Sequence, residues 1–523
     1  MLKASGAMAA ATLTSRLLGL MREMVYYGFM GTGWVNDAFV YAFTIPNLFR
    51  RLLGEGALTA AFIPIFKEKE KQHGEVEMWR AANAVISGLV VAACAIVALV
   101  LLAISLALTL HSFDAKTKLL LELLRVMFPY MILVCLTAVM MGMLNARGHF
   151  FIPAMGATML NVVMIASVFW LAPRFGVGLP KEQRLPVQIF ALAYGVLAAG
   201  VAQAAFQLPT LRRDGFRYRW ESPWRNETVR QVVRKMIPGT IGVAAFQINV
   251  ALVQGVALFI GAGIVSSYNG AVRLMELPQG MIGISLATYL LPTLSGLAAE
   301  KNYPEFRATL RQGLGTLIFL NLIASVLLTV LAFPIVRLLF ERGAFTIVST
   351  QHVSYALTCL APGLVMFSTV NILARAFYAL GDTKTPMLIS IFCLTLNFII
   401  SCLLLHPLRE GGPGIANTLT SVLNVSLLVF ALRKKLGKLE LEPLRKHLGT
   451  LALMTLLAGF VAWECWQLWE STIGHATLVR KIGAVFVPGG VAGGIYFLAA
   501  LACKIPAATE LTGFLLAKFK KRN

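Results

Sequence analysis

Long apolar runs joined by short polar connections dominate the chain. Eleven stretches of at least 21 residues contain no Asp, Glu, Lys or Arg. Each is long enough to cross a bilayer as a helix, since one crossing needs about 20 residues. A shorter run, 447–463, continues to Trp466 and Trp469, and two further candidates, 5–29 and 34–65, are interrupted by charges. This pattern predicts an all-α polytopic membrane protein with about fourteen transmembrane helices.

The composition narrows the class of protein in the same direction. Hydrophobic residues make up 58% of the chain, charged residues only 13%, and the mean hydropathy is +0.75. Soluble domains carry about 25% charged residues. A chain with half that share cannot cover its surface against water, so lipid must surround most of it. The composition excludes a secreted enzyme, a nucleic-acid binder and a disordered scaffold.

The distribution of basic residues predicts the orientation in the membrane. The chain has 46 basic and 24 acidic residues, a net charge of +22. With fourteen crossings, 29 basic residues fall in loops on the side of the two termini and 11 on the opposite side. Loops rich in Lys and Arg stay in the cytoplasm. We therefore expect both termini to be cytoplasmic.

One connecting loop, 212–235, is strongly basic. It serves as a topology anchor or lies on the anionic inner leaflet, and the first reading is favoured. Membrane lipids are the expected contacts of this loop, and nucleic acid is not. Its basic residues are Arg212, Arg213, Arg217, Arg219, Arg225, Arg230, Arg234 and Lys235.

The seven cysteines suggest no redox or metal chemistry. All lie in apolar segments, their number is odd, and no CxxC spacing occurs. These features argue against a disulfide framework or a zinc site. We expect the cysteines to be small packing residues.

The chain repeats itself at an offset near 233 residues. Three sets of Gly, Pro or basic residues recur in the same order, which favours a duplication over chance coincidence. The matching sets are Gly148 to Pro153 with Gly381 to Pro386, Leu211-Arg-Arg with Leu432-Arg-Lys-Lys, and Pro46 and Pro64 with Pro278 and Pro292.

An even number of helices in each half makes the two halves parallel repeats. The predicted lobes are 1–215 and 236–437, joined by the basic linker 216–235 and followed by an extra helix pair with a basic tail, 438–523. Repeats of this kind are typical of transporters, whose substrate site lies where the repeats meet. We expect two V-shaped lobes.

Several charged residues lie inside apolar helices, where each costs roughly 2.5–3.5 kcal/mol at the bilayer centre. They should face a hydrated cavity or one another. Pro46 and Pro278 lie near them, and a proline bends a membrane helix. The charged residues are Arg16, Arg22, Asp37, Arg50, Arg51, Glu55, Arg273 and Glu276.

Some of these charges have a partner at helical spacing. Arg273 with Glu276, and Arg51 with Glu55, are three and four residues apart and neutralise each other in the simplest reading. We assign Arg16 and Arg22 no acidic partner nearby in sequence, with Asp37 as a candidate for either. Arginines remain in excess, and guanidinium groups suit phosphate. An anionic ligand is favoured over a purely structural network.

At these positions the sequence resembles the MurJ (MviN) family of lipid II flippases, within the multidrug/oligosaccharidyl-lipid/polysaccharide exporter superfamily. The resemblance covers nearly the whole chain. It rests on Ser15-Arg16-Leu-Leu-Gly19-Leu-Met-Arg22, Asp37-Ala-Phe, Pro46-Asn47-Leu-Phe-Arg50-Arg51, Glu55-Gly-Ala57, Arg273-Leu-Met-Glu276-Leu-Pro278-Gln-Gly280 and Phe340-Glu-Arg-Gly343-Ala-Phe-Thr346.

The resemblance implies a transporter of the bacterial cytoplasmic membrane, monomeric as a transport unit. Its substrate would be the undecaprenyl-pyrophosphate-linked peptidoglycan precursor, lipid II, moved by alternating access. The extra pair near 447–503 would form a groove for the lipid tail. The family's substrate-binding residues correspond to Arg16, Arg22, Arg50, Arg273, Asn47 and Ser266. Its gating or ion-pairing residues correspond to Asp37, Glu55 and Glu276.

No cofactor is expected. The resemblance brings in sodium or chloride, but no ligand set can be matched, so the metal site stays unknown. Phe340 to Thr346 is a gate element or a packing motif, and packing is favoured.

Two other functions stay open. One is a flippase for a different polyprenyl-linked glycan. The other is a membrane-embedded glycosyl- or phosphotransferase. The latter would need a catalytic cluster, whereas His111, His406 and His475 each stand alone. We therefore expect a transporter and not an enzyme.

Overall fold

The protein is all-helical in a computed structural model that describes residues 2–55, 57–224, 226–440 and 442–520. No β-strand occurs in these ranges, which confirms the predicted fold class. The side chain of Glu55 lies outside the described side chains, as does Arg225 altogether.

Nine helices in the described ranges are long and apolar enough to cross a membrane, or ten if one bent pair counts as a single span. Two of the nine, Ala61–Leu110 and Lys384–Leu436, are 50 and 53 residues long. At 1.5 Å per residue they measure about 75 and 80 Å, far more than the ~30 Å hydrocarbon core. Both contain a residue in the left-handed region, Gly74 and Arg409. Each therefore exceeds one crossing, and the count of fourteen stays a prediction.

The chain divides into two compact units. The first, unit 1, contains Met1–Ser266 and Arg342–Ala344; the second, unit 2, contains Ser267–Glu341 and Phe345–Asn523.

The helices of unit 1 are α1 (Leu2–Met30), α2 (Trp34–Phe49), α3 (Ala57–Leu110), α4 (Ala115–Met127), α5 (Tyr130–Ala146), α6 (Phe151–Ala166), α7 (Lys181–Arg213) and α8 (Glu227–Ile260). Those of unit 2 are α9 (Ile264–Pro278), whose first turn belongs to unit 1, α10 (Ser285–Ala299), α11 (Tyr303–Val330), α12 (Ala332–Phe340), α13 (Ile347–Leu360), α14 (Leu364–Ala379), α15 (Lys384–Leu408), α16 (Gly412–Leu436), α17 (Glu442–Thr472), α18 (Leu478–Ala502) and α19 (Pro506–Lys520).

Helix α8 explains why the first unit extends beyond the predicted lobe of 1–215. It packs against α2 and α3. The Thr44 hydroxyl donates to Gln254 at 3.0 Å, and the Lys116 ammonium donates to the carbonyl of Leu258 near the end of α8. Gly255 leaves room for the Tyr41 hydroxyl, which would lie 2.7 Å from an added Cβ. These contacts group α8 with the helices that precede it.

The extra helix pair, α17 and α18, packs on α11 and α12 within unit 2. The buried Tyr496 hydroxyl donates to the carbonyl of Phe319 at 3.0 Å. Arg337 of α12 donates to Glu470 at 2.8 Å. Small residues line the apolar contact, among them Ala458 and Ala492, both fully buried. Apolar burial and these two hydrogen bonds hold the pair against α11 and α12.

Of the three π-helical segments in the described residues, Ser167–Leu171 has no counterpart, whereas the other two interrupt corresponding helices in the two halves of the chain. Arg50–Glu55 lies between α2 and α3, and Gln279–Ile284 lies between α9 and α10. Pro46 and Pro278 come shortly before these segments. Pro46 and Pro278, which correspond in the predicted repeat, therefore precede the same backbone irregularity. Such segments are often found at functional sites.

The Gly-to-Pro loops that define the repeat also share a backbone feature. Gly148 and Gly381 adopt positive φ angles of 88° and 74°. In each loop the next residue contacts the end of the last helix of its half. His149 lies 3.1 Å from Asp214, and the Lys435 ammonium donates to Asp382 at 2.7 Å. The positions match, but the acid lies at the helix end in the first half and in the loop in the second.

The Asp382 contact also affects titration. The hydrogen bond from Lys435, followed by the backbone amide of Thr385, lowers the pKa of Asp382 to about 2. The carboxylate is therefore ionised at neutral pH and holds this loop against the end of α16.

Candidate substrate site

Arg22 is held within unit 1 by two neighbours on its own helix. One terminal nitrogen lies 2.5 Å from the Glu23 carboxylate, and the guanidinium carbon lies 5.5 Å from the centre of the Tyr26 ring. The Arg22 side chain is only 13% exposed. A charge–π contact and an ion pair together keep the guanidinium in place with little water around it.

The prediction that Arg22 has no acidic neighbour in sequence is wrong, because Glu23 is one. The carboxylate is adjacent in sequence and 7% exposed. Side chains of adjacent residues on a helix do not face one another. Ion pairs are therefore predicted only between residues three or four apart, and a pair such as Arg22 with Glu23 is missed. The long Arg side chain reaches it all the same.

Arg16 lies more than one turn before Arg22 on α1, and its side chain is exposed. The helix is attached here to α6, because the Asn161 amide donates to the carbonyl of Ser15 at 3.3 Å. Arg16 and Arg22 are about 9 Å apart along the helix axis at 1.5 Å per residue. The Arg22 guanidinium thus lies among other side chains, whereas the Arg16 side chain is exposed.

Arg50 and Asn47 contact each other at the start of the first π-helical segment. The Arg50 Nε donates to the Asn47 side-chain oxygen at 2.6 Å. This brings together two of the predicted substrate-binding residues. The bond fixes the plane of the guanidinium, which favours bidentate binding of an anion.

Asp37 is fully buried, and both of its oxygens accept backbone hydrogen bonds. One oxygen accepts from the amide of Gly263 at 2.5 Å, and the other from that of Ser266 at 2.8 Å. These are unpaired amides at the start of α9. The carboxylate acts as a cap for a helix distant in sequence. We expected Asp37 to pair with an arginine. In the structure its two oxygens instead accept hydrogen bonds from backbone amides of Gly263 and Ser266.

Ser266 is engaged at the same junction. It is fully buried, and its carbonyl accepts a hydrogen bond from the Tyr27 hydroxyl at 2.7 Å. Its own hydroxyl donates to the carbonyl of Gly263 at 3.3 Å. In this conformation the contacts of Ser266 join α1, α2 and the start of α9, and its hydroxyl faces protein.

Arg273 and Glu276, in unit 2, form the ion pair that their spacing predicts. The closest nitrogen and oxygen are 2.9 Å apart, and the side chains are 35% and 46% exposed. A pair so open to solvent contributes ~1 kcal/mol or less. Exchange of Glu276 for a phosphate group would therefore cost little. The pair lies directly before the π-helical segment Gln279–Ile284.

The motif Phe340 to Thr346 meets α1 in a tight backbone contact. The Ala344 amide donates to the carbonyl of Gly28 at 2.8 Å. Gly343 has φ of +57°, and an added Cβ would lie 2.3 Å from that carbonyl oxygen. At Gly31, with φ of +62°, an added Cβ would lie 2.6 Å from the carbonyl oxygen of Ala344. The motif therefore contains a close backbone contact, and its role as a gate element or a packing motif stays a prediction.

We expect Gly343→Ala to lower stability by roughly 1–3 kcal/mol, because it combines backbone strain with a steric clash. Thermal unfolding of the purified protein in detergent measures the change. Gly296→Ala is the control, since nothing lies within 4 Å of its Cβ position and it has ordinary helical geometry. Equal unfolding temperatures for the two variants would show that the contact between Gly343 and the Gly28 carbonyl is not tight enough to exclude a side chain.

No group of three or more His, Cys, Asp or Glu residues in the described ranges could hold a metal ion. The seven cysteines are free thiols.

Sequence comparisons identify close relatives. A family profile described as "Lipid II flippase MurJ" matches residues 27–482. A lipid II flippase MurJ from Burkholderia cenocepacia is 33% identical over 464 residues, covering 86% of this chain and 88% of that protein. A probable lipid II flippase MurJ from Vibrio cholerae is 31% identical and covers 98% of both chains.

Solved structures share the fold. A lipid II flippase MurJ in an inward closed conformation matches with a TM-score of 0.75 and 22% identity, covering 94% of this chain and 99% of that one. An inward-facing multidrug transporter of the MATE family, in the MOP superfamily, matches with a TM-score of 0.66 and 15% identity. It covers 83% of this chain and 98% of its own.

Proposed function

Because this chain belongs to the MurJ family of lipid II flippases, we propose that it moves lipid II across the bacterial cytoplasmic membrane. The observation that carries the proposal is the family match, which extends over residues 27–482. The pyrophosphate and sugars of such a lipid cannot cross hydrocarbon unaided, whereas the polyprenyl tail stays in lipid throughout.

Arginine side chains replace the hydration of the pyrophosphate in this proposal. Arg22 and Arg50 supply oriented guanidinium groups, Arg16 supplies an exposed one, and Arg273 supplies a partly exposed one. Their support is the arrangement within each unit: Arg22 beside Glu23, and Arg50 fixed by Asn47. Glu276 competes with substrate for Arg273 and releases it when phosphate arrives.

Transport proceeds by alternating access, with the π-helical segments as the places where helices bend. The sequence contains no GxxxxGK[ST] motif for ATP. Energy therefore comes from an ion gradient or from the membrane potential, which supplies ~2.3 kcal/mol per charge per 100 mV. Both termini are cytoplasmic in this proposal, the transport unit is a monomer, and the lipid is not chemically altered.

The test uses cells depleted of their own lipid II flippase and supplied with this chain. We expect growth to be restored and labelled lipid II to become accessible on the outer leaflet. A matched strain supplied with an O-antigen-unit flippase is the control for another polyprenyl-linked glycan. Lipid II that stays on the cytoplasmic face would overturn the proposal. Chemically converted lipid II in the same extracts would support the transferase alternative.

A further inference from the structure

A pocket of about 360 Å³ opens at the start of α8, within unit 1. Its volume is in the range of small-molecule sites. Arg230, Val233, Arg234 and Ile237 line one side of it, at intervals of three and four residues. That spacing places them in one stripe of the helix. The stripe alternates cationic and apolar side chains.

Pro223, Asn226 and Val229 also line the pocket. Pro223 and Val229 close on Gly88 of α3, where an added Cβ would lie 3.2 and 3.5 Å from them. The Asn226 side chain caps the helix by accepting from two backbone amides. These contacts hold Pro223, Asn226 and Val229 in place on the protein side of the pocket.

The segment before α8 is fastened to α3 as well. The Tyr218 and Ser87 hydroxyls are 3.2 Å apart, and Glu221 accepts from Arg80 at 3.4 Å. On its outer side this segment presents two large aromatic side chains, Trp220 at 58% and Trp224 at 72% exposure. Exposed tryptophans are typical of the membrane–water interface.

The depth of the pocket follows from the charge pattern of α8. Residues 236–260 contain no charged side chain, and their helical length of about 38 Å exceeds the ~30 Å hydrocarbon core. Arg234, just before this stretch, therefore lies at headgroup depth. Val233 and Ile237, 44% and 53% exposed, continue toward the acyl chains.

The arginines are available to a ligand. Within the part of the chain that the structure describes, Arg234 has no hydrogen bond or ion pair. Arg230 lies 3.7 Å from Glu227, and both side chains are about two-thirds exposed. An ion pair so exposed contributes little free energy, so a phosphate group could replace Glu227 beside Arg230 at small cost. Glu221, the other acid nearby, is already bound to Arg80.

We propose that this pocket binds an anionic glycerophospholipid. Arg230 and Arg234 contact the phosphodiester of the headgroup, and Val233 and Ile237 contact the beginning of an acyl chain. The apolar half of the stripe favours a lipid over a free anion. This lipid site is independent of the proposed transport of lipid II, so a test of one proposal does not decide the other.

Bromine-labelled lipids test the proposal, because bromine quenches tryptophan fluorescence at short range. The purified full-length chain is reconstituted in phosphatidylcholine vesicles that contain a minor fraction of brominated phosphatidylglycerol. A second set contains brominated phosphatidylcholine at the same fraction. The signal from Trp220 and Trp224 is the difference between the chain and a variant with both replaced by Phe. We expect brominated phosphatidylglycerol to quench this signal more strongly.

The variant pair Arg230→Gln and Arg234→Gln should weaken the preference by about fivefold for each arginine, or ~1 kcal/mol each. Arg212→Gln with Arg213→Gln is the matched control, since it removes the same charge from residues outside the pocket. Arg230→Lys with Arg234→Lys should keep most of the preference, which separates lost charge from lost fold.

Three outcomes would overturn the lipid assignment. Equal quenching by the two lipids would show no anionic preference. An equal loss in the Arg212/Arg213 variant would show diffuse surface charge in place of a site. Removal of the preference by inorganic phosphate at constant ionic strength would show a site for free anions.

Discussion

Replacing Arg22 or Arg273 by Ala should abolish the appearance of lipid II on the outer leaflet while the protein still folds. A charge-assisted hydrogen bond contributes ~1.5–3 kcal/mol, so the loss of one arginine should weaken headgroup binding by about 10- to 150-fold. Outer-leaflet lipid II, labelled in cells that depend on this chain, measures the result.

The two variants complement each other as tests. Arg22 is mostly buried beside Glu23, so its removal also affects packing, and Arg22→Lys is needed to keep the charge. Arg273 is 35% exposed, and its removal should leave the unfolding temperature nearly unchanged. Arg433→Ala, at an exposed position near the end of α16, removes the same charge as a control. Normal flipping by both Ala variants would refute the arginine assignment.

Asp37→Ala should destabilise the protein by about 3–5 kcal/mol, because two charge-assisted hydrogen bonds are lost at once and two buried amides remain unsatisfied. Both bonds join α2 to the start of α9, at Gly263 and Ser266. Asp37→Asn keeps one acceptor oxygen and should lose roughly half as much. Thermal or denaturant unfolding in detergent gives the values.

The same variants distinguish a cap from a gate. If Asp37 acted mainly by pairing with an arginine, Asp37→Asn would change transport and leave stability almost untouched. Capping predicts that stability and transport fall together, in the order wild type, Asn, Ala. An Ala variant as stable as the wild type would exclude the capping role. Asp114→Ala, at an exposed cap of α4, is a control in which a cap at the surface is lost.

The helical class was predictable because the signal is spread over hundreds of residues. Uncharged stretches reveal membrane helices without knowledge of any single contact. The prolines at 46 and 278 predicted bends in their helices, because proline lacks a backbone donor, and a π-helical segment follows each of them. The sequence did not predict that α8 belongs to the first unit, because that grouping depends on contacts between distant residues, such as Thr44 with Gln254.

The site shows the same contrast between local and distant information. Arg273 with Glu276 and Arg50 with Asn47 are three residues apart, and helical spacing makes such contacts readable. Asp37 is 226 residues from Gly263, and no spacing rule covers that distance. Its charge suggested a partner of opposite sign, whereas the start of a helix supplies the same attraction through amide dipoles.

The paired π-helical segments have a consequence for ancestry. Each lies directly after the stretch that carries Pro46 or Pro278, near 230 residues apart in the chain. Two independent insertions would have had to strike the same turn of corresponding helices. A single insertion in a half-sized ancestor, copied when its gene doubled, requires one event. On that history, an isolated half-length homologue, wherever one survives, should carry the same bulge.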